Sequence, residues 1–193
     1  MATPRGDKRT RIVDTATRLI LSQGVHATSI SDIIAESGAS AGSIYHRCAG
    51  KNHIVLAVAR AKVQEPLRER LAVQHEGGLS PSELFRMIAE TLLAGTVEPA
   101  LIVQLWAGSS GEPELKVLLR EQMDDMRVRA VAAVERWLAA RGASETAEQA
   151  ASLATLAIGQ AMGLLVQDTL APDFDGDAYI ESASTMLDGA ARQ

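Results

Sequence analysis

The chain has 193 residues, a net charge of −5 and 47% hydrophobic residues, which is enough apolar material for a sizeable core and fits one or two small domains. It has only two Phe, two Tyr and two Trp, and this Ala-rich, aromatic-poor composition favours helices over sheets. One cysteine excludes an internal disulfide, the MATPRGDKRTR start lacks an apolar signal segment, and no apolar run approaches the roughly 20 residues that cross a bilayer; the expectation is a cytoplasmic protein with no membrane partner.

Residues 1–6 read as an arm, since Pro4 and Gly6 resist a helix and Arg5 is its charge. A first helix is expected from about Asp7 to Gln23, where Ile12, Val13, Ala16, Leu19 and Ile20 recur at helical spacing, and Gly24 closes it. The stretch Thr28 to Lys51 then reads as two short helices around a glycine turn. Ser29 with Asp32 makes a capping box, Ile30, Ile33 and Ile34 form an inward face, and Gly38 ends the first helix. Ser40 is placed to cap the second, which carries Ile44 on its buried side and Ser43, Tyr45, His46 and Arg47 on the others before Gly50 stops it. Lys51 follows at once. Two helices joined by so short a turn are the helix-turn-helix motif, whose second helix enters the major groove of DNA.

Asn52 to about Gln74 reads as a long helix with Ile54, Val55, Val58 and Ala61 inward, kinked or divided at Pro66, which removes the bond to the Lys62 carbonyl. After the Glu76-Gly77-Gly78 break, Ser80-Pro81-Ser82-Glu83 combines a capping serine, a proline at the first helical position and a returning glutamate, and starts a helix that runs to about Ala94. Pro99 opens a short apolar helix, Ala100 to Ala107, that Gly108-Ser109-Ser110-Gly111 terminates. From Pro113 to Arg141 the set Leu115, Leu118, Leu119, Met123, Met126, Ala130, Ala133, Val134, Trp137 and Leu138 keeps helical period. Ser144 caps the next helix, to about Leu170, and Asp175 caps the last, whose Tyr179, Ile180, Ala183, Met186, Leu187 and Ala190 share a face. The expected fold class is all-α with roughly nine helices, divided into a helix-turn-helix domain over residues 1–51 and a helical body over residues 52–193.

Charge is distributed unevenly over these parts. Residues 1–60 hold eight basic side chains (Arg5, Lys8, Arg9, Arg11, Arg18, Arg47, Lys51, Arg60) against four acidic ones (Asp7, Asp14, Asp32, Glu36), a net of +4 that leaves −9 on the remainder. A basic head on an acidic body orients a protein on a polyanion.

From Arg9 through Val58 these features together resemble the DNA-binding domain of the TetR family of one-component bacterial regulators. The matching points are a leading helix ending in Gly24, the hydroxyl pair Thr28 and Ser29, the apolar pair Ile33 and Ile34, the turn Gly38-Ala39-Ser40, then Gly42, Ile44, Tyr45 and His46, and Lys51 opening the next helix. Cys48 stands where the family usually has phenylalanine. The resemblance implies phosphate contacts from Tyr45, His46 and Lys51, joined by Thr28 and Ser29 and by the amides around Ser40. The base-reading edge is sparse. Ala41, Gly42 and Ser43 offer methyl contact, close backbone approach and single hydrogen bonds, only Arg47 can fork onto a guanine, and Arg5 and Lys8 are expected to read groove shape. Cys48 is read as a small hydrophobe in the aromatic's place rather than as a redox thiol, because a buried thiol is inert.

In the body, an effector site requires an apolar cavity with a few convergent polar groups. Phe85, Met87, Thr91, Gln104, Trp106, Met123, Met126, Gln160 and Met162 are candidate lining residues, although a stripe of Met and aromatic residues also describes a filled core. Ala147, Ala151, Gly159 and Gly163 lie at multiples of four, a spacing that lets another helix approach closely. In the family resembled here the last two helices form a dimer, to which the last helix brings Tyr179, Ala183, Met186 and Leu187. The expected function is that of a DNA-binding regulator, a ligand-released repressor on a palindromic operator. It acts as a homodimer, with double-stranded DNA and a small-molecule effector as partners and no cofactor. The rival is a helical ligand-binding or scaffolding protein without operator binding, for which the Cys48 departure is the support. Enzymatic and metal chemistry is not expected: His26, His46, His53 and His75 are scattered without metal-ligand spacing, and Cys48 has only His46 nearby.

Overall fold

The computed structural model describes residues 5–39, 50–72, 77–95, 97–143 and 146–192, without the side chains of residues 5–8 and 122. The described residues form helices joined by short turns and contain no strand. In chain order the helices are α1 (Arg5–Ala27), α2 (Ile30–Ser37), α3 (Lys51–Ala59), a π-helical turn (Arg60–Gln64), α4 (Glu65–Ala72), α5 (Pro81–Leu93), α6 (Pro99–Ser109), α7 (Pro113–Ala140), α8 (Thr146–Leu170) and α9 (Gly176–Ala190). α1 starts at Arg5, inside the segment expected to be an arm. The interruption expected at Pro66 takes the form of the π turn just before it.

The chain folds into two compact units, Met1–Gln64 with Ala100–Gln122, and Glu65–Pro99 with Met123–Gln193. These do not coincide with a division after Lys51, because α3, the π turn, α6 and the start of α7 all belong with the N-terminal helices.

In the first unit, Ile12, Val13, Ala16, Leu19 and Ile20 of α1 close over Ile33 of α2 and Ile54, Val55, Val58 and Ala59 of α3. Leu101 and Leu105 of α6 and Leu115 of α7 complete the same core. Each of the Ile, Val and Leu side chains contributes about 1.5–3 kcal/mol when fully buried. α2 alone is too short to be stable in water, so this packing is what keeps it helical.

In the second unit α5, α8 and α9 pack against one another. α5 begins with the expected box: Ser80 Oγ accepts from Glu83 N at 3.2 Å and Ser80 N donates to Glu83 Oε2 at 2.7 Å, with Pro81 at the first helical position. It buries Leu84, Phe85, Ile88, Ala89 and Leu92. α8 faces the core with Ala150, Leu153, Ala154, Ala157, Ala161, Leu164 and Leu165. A line of alanines of this kind lets helix axes come close. α8 corrects the expectation that no apolar run is long enough for a bilayer: with 25 residues and a mean hydropathy of 1.4 over its most apolar window, it is long and apolar enough to cross one. The face buried against its own chain is that of a core helix.

Candidate nucleic-acid interface

The candidate site is built on the turn between α1 and α2. Gly24 adopts φ 84°, ψ 164°, a left-handed conformation that interrupts α1 and suits glycine. The carbonyl of Gly24 then receives two bonds from one residue, Thr28 N at 3.2 Å and Thr28 Oγ1 at 2.8 Å. Thr28 is only 2% exposed. Expected among the phosphate contacts, it is a buried side chain in this chain, with its hydroxyl engaged by the Gly24 carbonyl.

Ser29 caps α2 as its spacing to Asp32 predicts. Asp32 N donates to Ser29 Oγ at 3.1 Å, and Ser29 N and Oγ both donate to Asp32 Oδ2, at 3.0 and 2.6 Å. The Ser29 hydroxyl, followed by its amide, holds the Asp32 carboxyl below the usual carboxylate range. Gly38 ends α2 in the left-handed region, φ 64°. The residues expected to form the groove helix, Ser40, Ala41, Gly42, Ser43, Tyr45, His46 and Arg47, together with Cys48, lie outside the described residues. Arg5 and Lys8 fall in the first turns of α1, and their side chains are likewise outside the described part.

The chain re-enters at Gly50 with Lys51 opening α3. Lys51 Nζ donates to the His26 carbonyl at 2.9 Å, so the α1–α2 turn and the α3 N-terminus are tied together. The next residue, Asn52, donates from Nδ2 to Glu114 Oε2 of α7 at 3.1 Å.

α6 and the turn after it grip the α1–α2 turn residue by residue. A Cβ on Gly108 would stand 2.5 Å from Val25 Cβ, so the valine occupies the space that any other residue would need. A Cβ on Gly111 would lie 3.3 Å from the His26 ring, and the Gln104 amide oxygen sits 3.2 Å from the equivalent point on Gly24. These partners were not foreseen. Gly108 and Gly111 read in sequence as helix terminators, and no local signal links them to residues 24–26. On the outer side of α1, Asp14, Thr17, Arg18, Leu21 and Ser22 line an open groove of about 450 Å³ with Lys62. Its cations are paired, Lys62 with Asp14 at 2.6 Å and Arg18 with Glu36.

The candidate effector residues are distributed over both units. Gln104 and Trp106 belong to the first compact unit, and Phe85, Met87, Thr91, Met123, Met126, Gln160 and Met162 to the second. Phe85 is fully buried core with its ring 6.4 Å from that of Tyr179. Thr91 is buried and donates to the Met87 carbonyl at 2.7 Å, while Gln160 Oε1 accepts from Tyr179 OH at 2.9 Å. Met87, Met126 and Met162 are half-buried, and Trp106 and Met123 are exposed.

Among the candidate dimer residues the structure separates two faces. Gly163 does not offer an open notch: a Cβ there would stand 2.6 Å from Tyr179 OH, so the tyrosine of its own chain fills it. Burial pushes that phenol's pKa up. Ala183 and Leu187 are likewise buried within the chain. Ala151 and Gly159, by contrast, are exposed, and a Cβ on Gly159 meets nothing within 4 Å. Leu156, Val166 and Leu170 of α8 and Met186 of α9 are exposed as well.

Residues 12–58 match the family described as "Bacterial regulatory proteins, tetR family". A helix-turn-helix type transcriptional regulator of Mycobacterium tuberculosis is 31% identical over 135 residues, 67% of this chain and 64% of that one. The chain spans less than two thirds of the length of the curated relatives it matches, from 23% to 64%. Among solved structures, Salmonella enterica GusR superposes with a TM-score of 0.79 at 22% identity, covering 99% of this chain and 98% of that one. A transcriptional regulator from Saccharomonospora viridis, solved in complex with choline, superposes with a TM-score of 0.66 at 22% identity over 95% and 97% of the two chains. These likenesses show a shared all-helical fold.

Proposed function

We propose that the chain is a member of the tetR family of bacterial regulatory proteins, a reading supported by the match over residues 12–58 and by its relatives, and that it is a DNA-binding transcriptional regulator, a repressor that holds a palindromic operator as a homodimer and leaves it when a small ligand enters its helical body. The observation that carries this reading is the capped entrance to the motif. Ser29 and Asp32 fix the start of α2, Gly38 turns the chain out of it, and Lys51 brings an ammonium to the N-terminus of α3 beside the same turn. An ammonium has three donors, so the bond to the His26 carbonyl leaves it able to take a phosphate oxygen. The stretch Ser40 to Arg47, expected from the sequence to be the second helix of the motif, reads the bases in this proposal, with Arg47 as its forked donor. A regulator that works on promoter DNA works in the cytoplasm.

Dimerisation is supported by the apolar residues that α8 and α9 leave uncovered, Leu156, Val166, Leu170 and Met186 around the open Gly159. Two heads held together by such a face meet two half-sites, which is the geometry that makes a palindrome the target. The choline complex of the Saccharomonospora neighbour supports a small-molecule effector. Control of DNA binding follows if ligand favours a state of the body in which α6 and the turn after it move the α1–α2 turn that they grip.

Selecting bound duplexes from a random pool tests the reading. A recovered inverted repeat with fixed half-site spacing is the expected result, and recovery of no preferred sequence would sink it. Lys51→Ala should weaken binding to specific and unrelated duplexes alike and reduce the salt slope by about one unit, since a phosphate contact carries no sequence information. Titrations at several salt concentrations measure both.

A further inference from the structure

The start of α3 is positively charged, and its own segment brings no counter-charge. Its cap is Gly50, which makes no side-chain bond, and its first turn reads Lys51, Asn52, His53 with no acidic residue. The unpaired amides of a helix start carry the positive end of its dipole, so Lys51 adds an ammonium to a place that is already positive.

The acidic side chain that reaches this end comes from the first turn of α7, in the same compact unit. Asn52 Nδ2 donates to Glu114 Oε2 at 3.1 Å. The neighbouring residue Leu115 is fully buried in the core that also holds Ile54 and Val55, so the backbone beneath the carboxylate is fixed. On the other side Lys51 Nζ donates to the His26 carbonyl at 2.9 Å, and the His26 ring faces Gly111, one turn before Glu114. One Cα step, an extended asparagine and the hydrogen bond together put the carboxylate within roughly 11 Å of the Lys51 backbone. Because its partner is a neutral amide, the bond holds the carboxylate without cancelling its charge. Glu112 and Lys116, which flank it on α7, are of opposite sign and offset one another.

We propose that Glu114 is a built-in brake on DNA affinity: its carboxylate, held by Asn52 beside Lys51, repels the phosphate that Lys51 attracts. Like charges about 10 Å apart in water change binding by about twofold at low salt, and two heads on one duplex multiply this to about fourfold. Salt screens the effect, since the Debye length falls from about 30 Å at 0.01 M to about 8 Å at physiological ionic strength. Repulsion from a phosphate carries no sequence information, so the brake acts on operator and unrelated duplexes by the same factor. This inference rests on the DNA-binding reading above and adds to it a residue that limits affinity.

Glu114→Gln removes the charge and keeps an oxygen to which Asn52 can donate. Glu121→Gln, two turns further along α7 on the same face, makes the same change of charge farther from Lys51 and is the control. Full-length wild type and both variants are titrated by fluorescence anisotropy with the selected operator and with an unrelated duplex of equal length, at low salt and at physiological ionic strength. At low salt Glu114→Gln should bind both duplexes about fourfold tighter than wild type, and Glu121→Gln should stay within about twofold. The gain should shrink as salt rises. Wild type that binds DNA with no gain in Glu114→Gln, an equal gain in Glu121→Gln, or a gain on operator alone overturns the brake and leaves the regulatory reading standing. If the selection yields no operator, that reading fails, and the unrelated duplex alone decides the brake. Duplex bound by Glu114→Gln but not by wild type supports it, and no binding by any of the three proteins overturns it.

Discussion

In the unit formed by residues 1–64 and 100–122, three consecutive residues, Gly24, Val25 and His26, each meet a partner far along the chain at Gln104, Gly108 and Gly111. In the unit formed by residues 65–99 and 123–193, order comes from apolar stripes on α5, α8 and α9 that face one another over many turns. Beside its own aliphatic core, the first arrangement depends at this turn on glycines whose missing side chains are filled by a neighbour and on backbone carbonyls that hold side chains. An added methyl is blocked outright at Gly108, where Val25 stands 2.5 Å away, is strained at Gly24 by its positive φ, and at Gly111 requires the His26 ring to give way. The second depends on volume, so its losses should scale with the atoms removed. On the proposed function, a head that contacts DNA needs its backbone fixed, whereas a body that responds to ligand needs packing that can be rearranged.

The largest expected effect tests the volume rule. Phe85→Ala removes a fully buried ring that contacts Tyr179 and should cost about 3–5 kcal/mol, a fall of about 2–4 °C in melting temperature for each kcal/mol at this chain length. Calorimetry measures it. A loss below about 1 kcal/mol would mean that the ring lines space rather than filling it, which would return Phe85 to the candidate effector residues.

Next in size is Gly108→Ala, where helix propensity predicts a gain but the Val25 side chain stands in the way. Overpacking should cost about 1–3 kcal/mol, and adding Val25→Ala should recover part of it. A double-mutant cycle by denaturant unfolding reads the coupling, and strict additivity would break the interlock on which the comparison rests.

Ser29→Ala removes one side of the capping box and should cost about 1 kcal/mol. The partner carboxyl supplies a pH signature. Asp32 has its pKa lowered in the folded chain, so its contribution is fully present above the ordinary carboxylate range and is lost as pH falls through the lowered value. The stability gap between wild type and Ser29→Ala should therefore close in acid. A gap unchanged down to pH about 2 would show that the box adds nothing through this carboxylate.

The smallest effect sharpens the dimer proposal. Gly159 sits on the exposed face of α8 with open space around it, and Gly159→Ala should stabilise the isolated fold by up to about 1 kcal/mol. If a partner helix covers that face in solution, the same substitution weakens association instead. Sedimentation at several concentrations distinguishes the two.

Much of the fold was legible because its signals are local. Capping boxes at Ser29 and Ser80, the Asp175 cap and the break at Gly24 each depend on atoms within four residues, and each appears where spacing places it. Hydrophobic period gave α5, α7 and α8 to within a few residues. The same period did not say which face of α8 looks inward. Alanines 150, 154, 157 and 161 are buried and Ala151 and Gly159 are exposed, yet both sets are small residues at helical spacing.

The helices, their ends and the helix-turn-helix motif could thus be read from residue order, because backbone hydrogen bonds and caps act over one turn. Residue order did not reveal that Thr28 is buried, that Tyr179 fills Gly163, that Pro66 is met by a π turn, or that α6 belongs with the N-terminal helices. These outcomes depend on which distant surface reaches a residue first, and burial, close approach and the pairing of Lys51 with a carbonyl are properties of that meeting rather than of either partner.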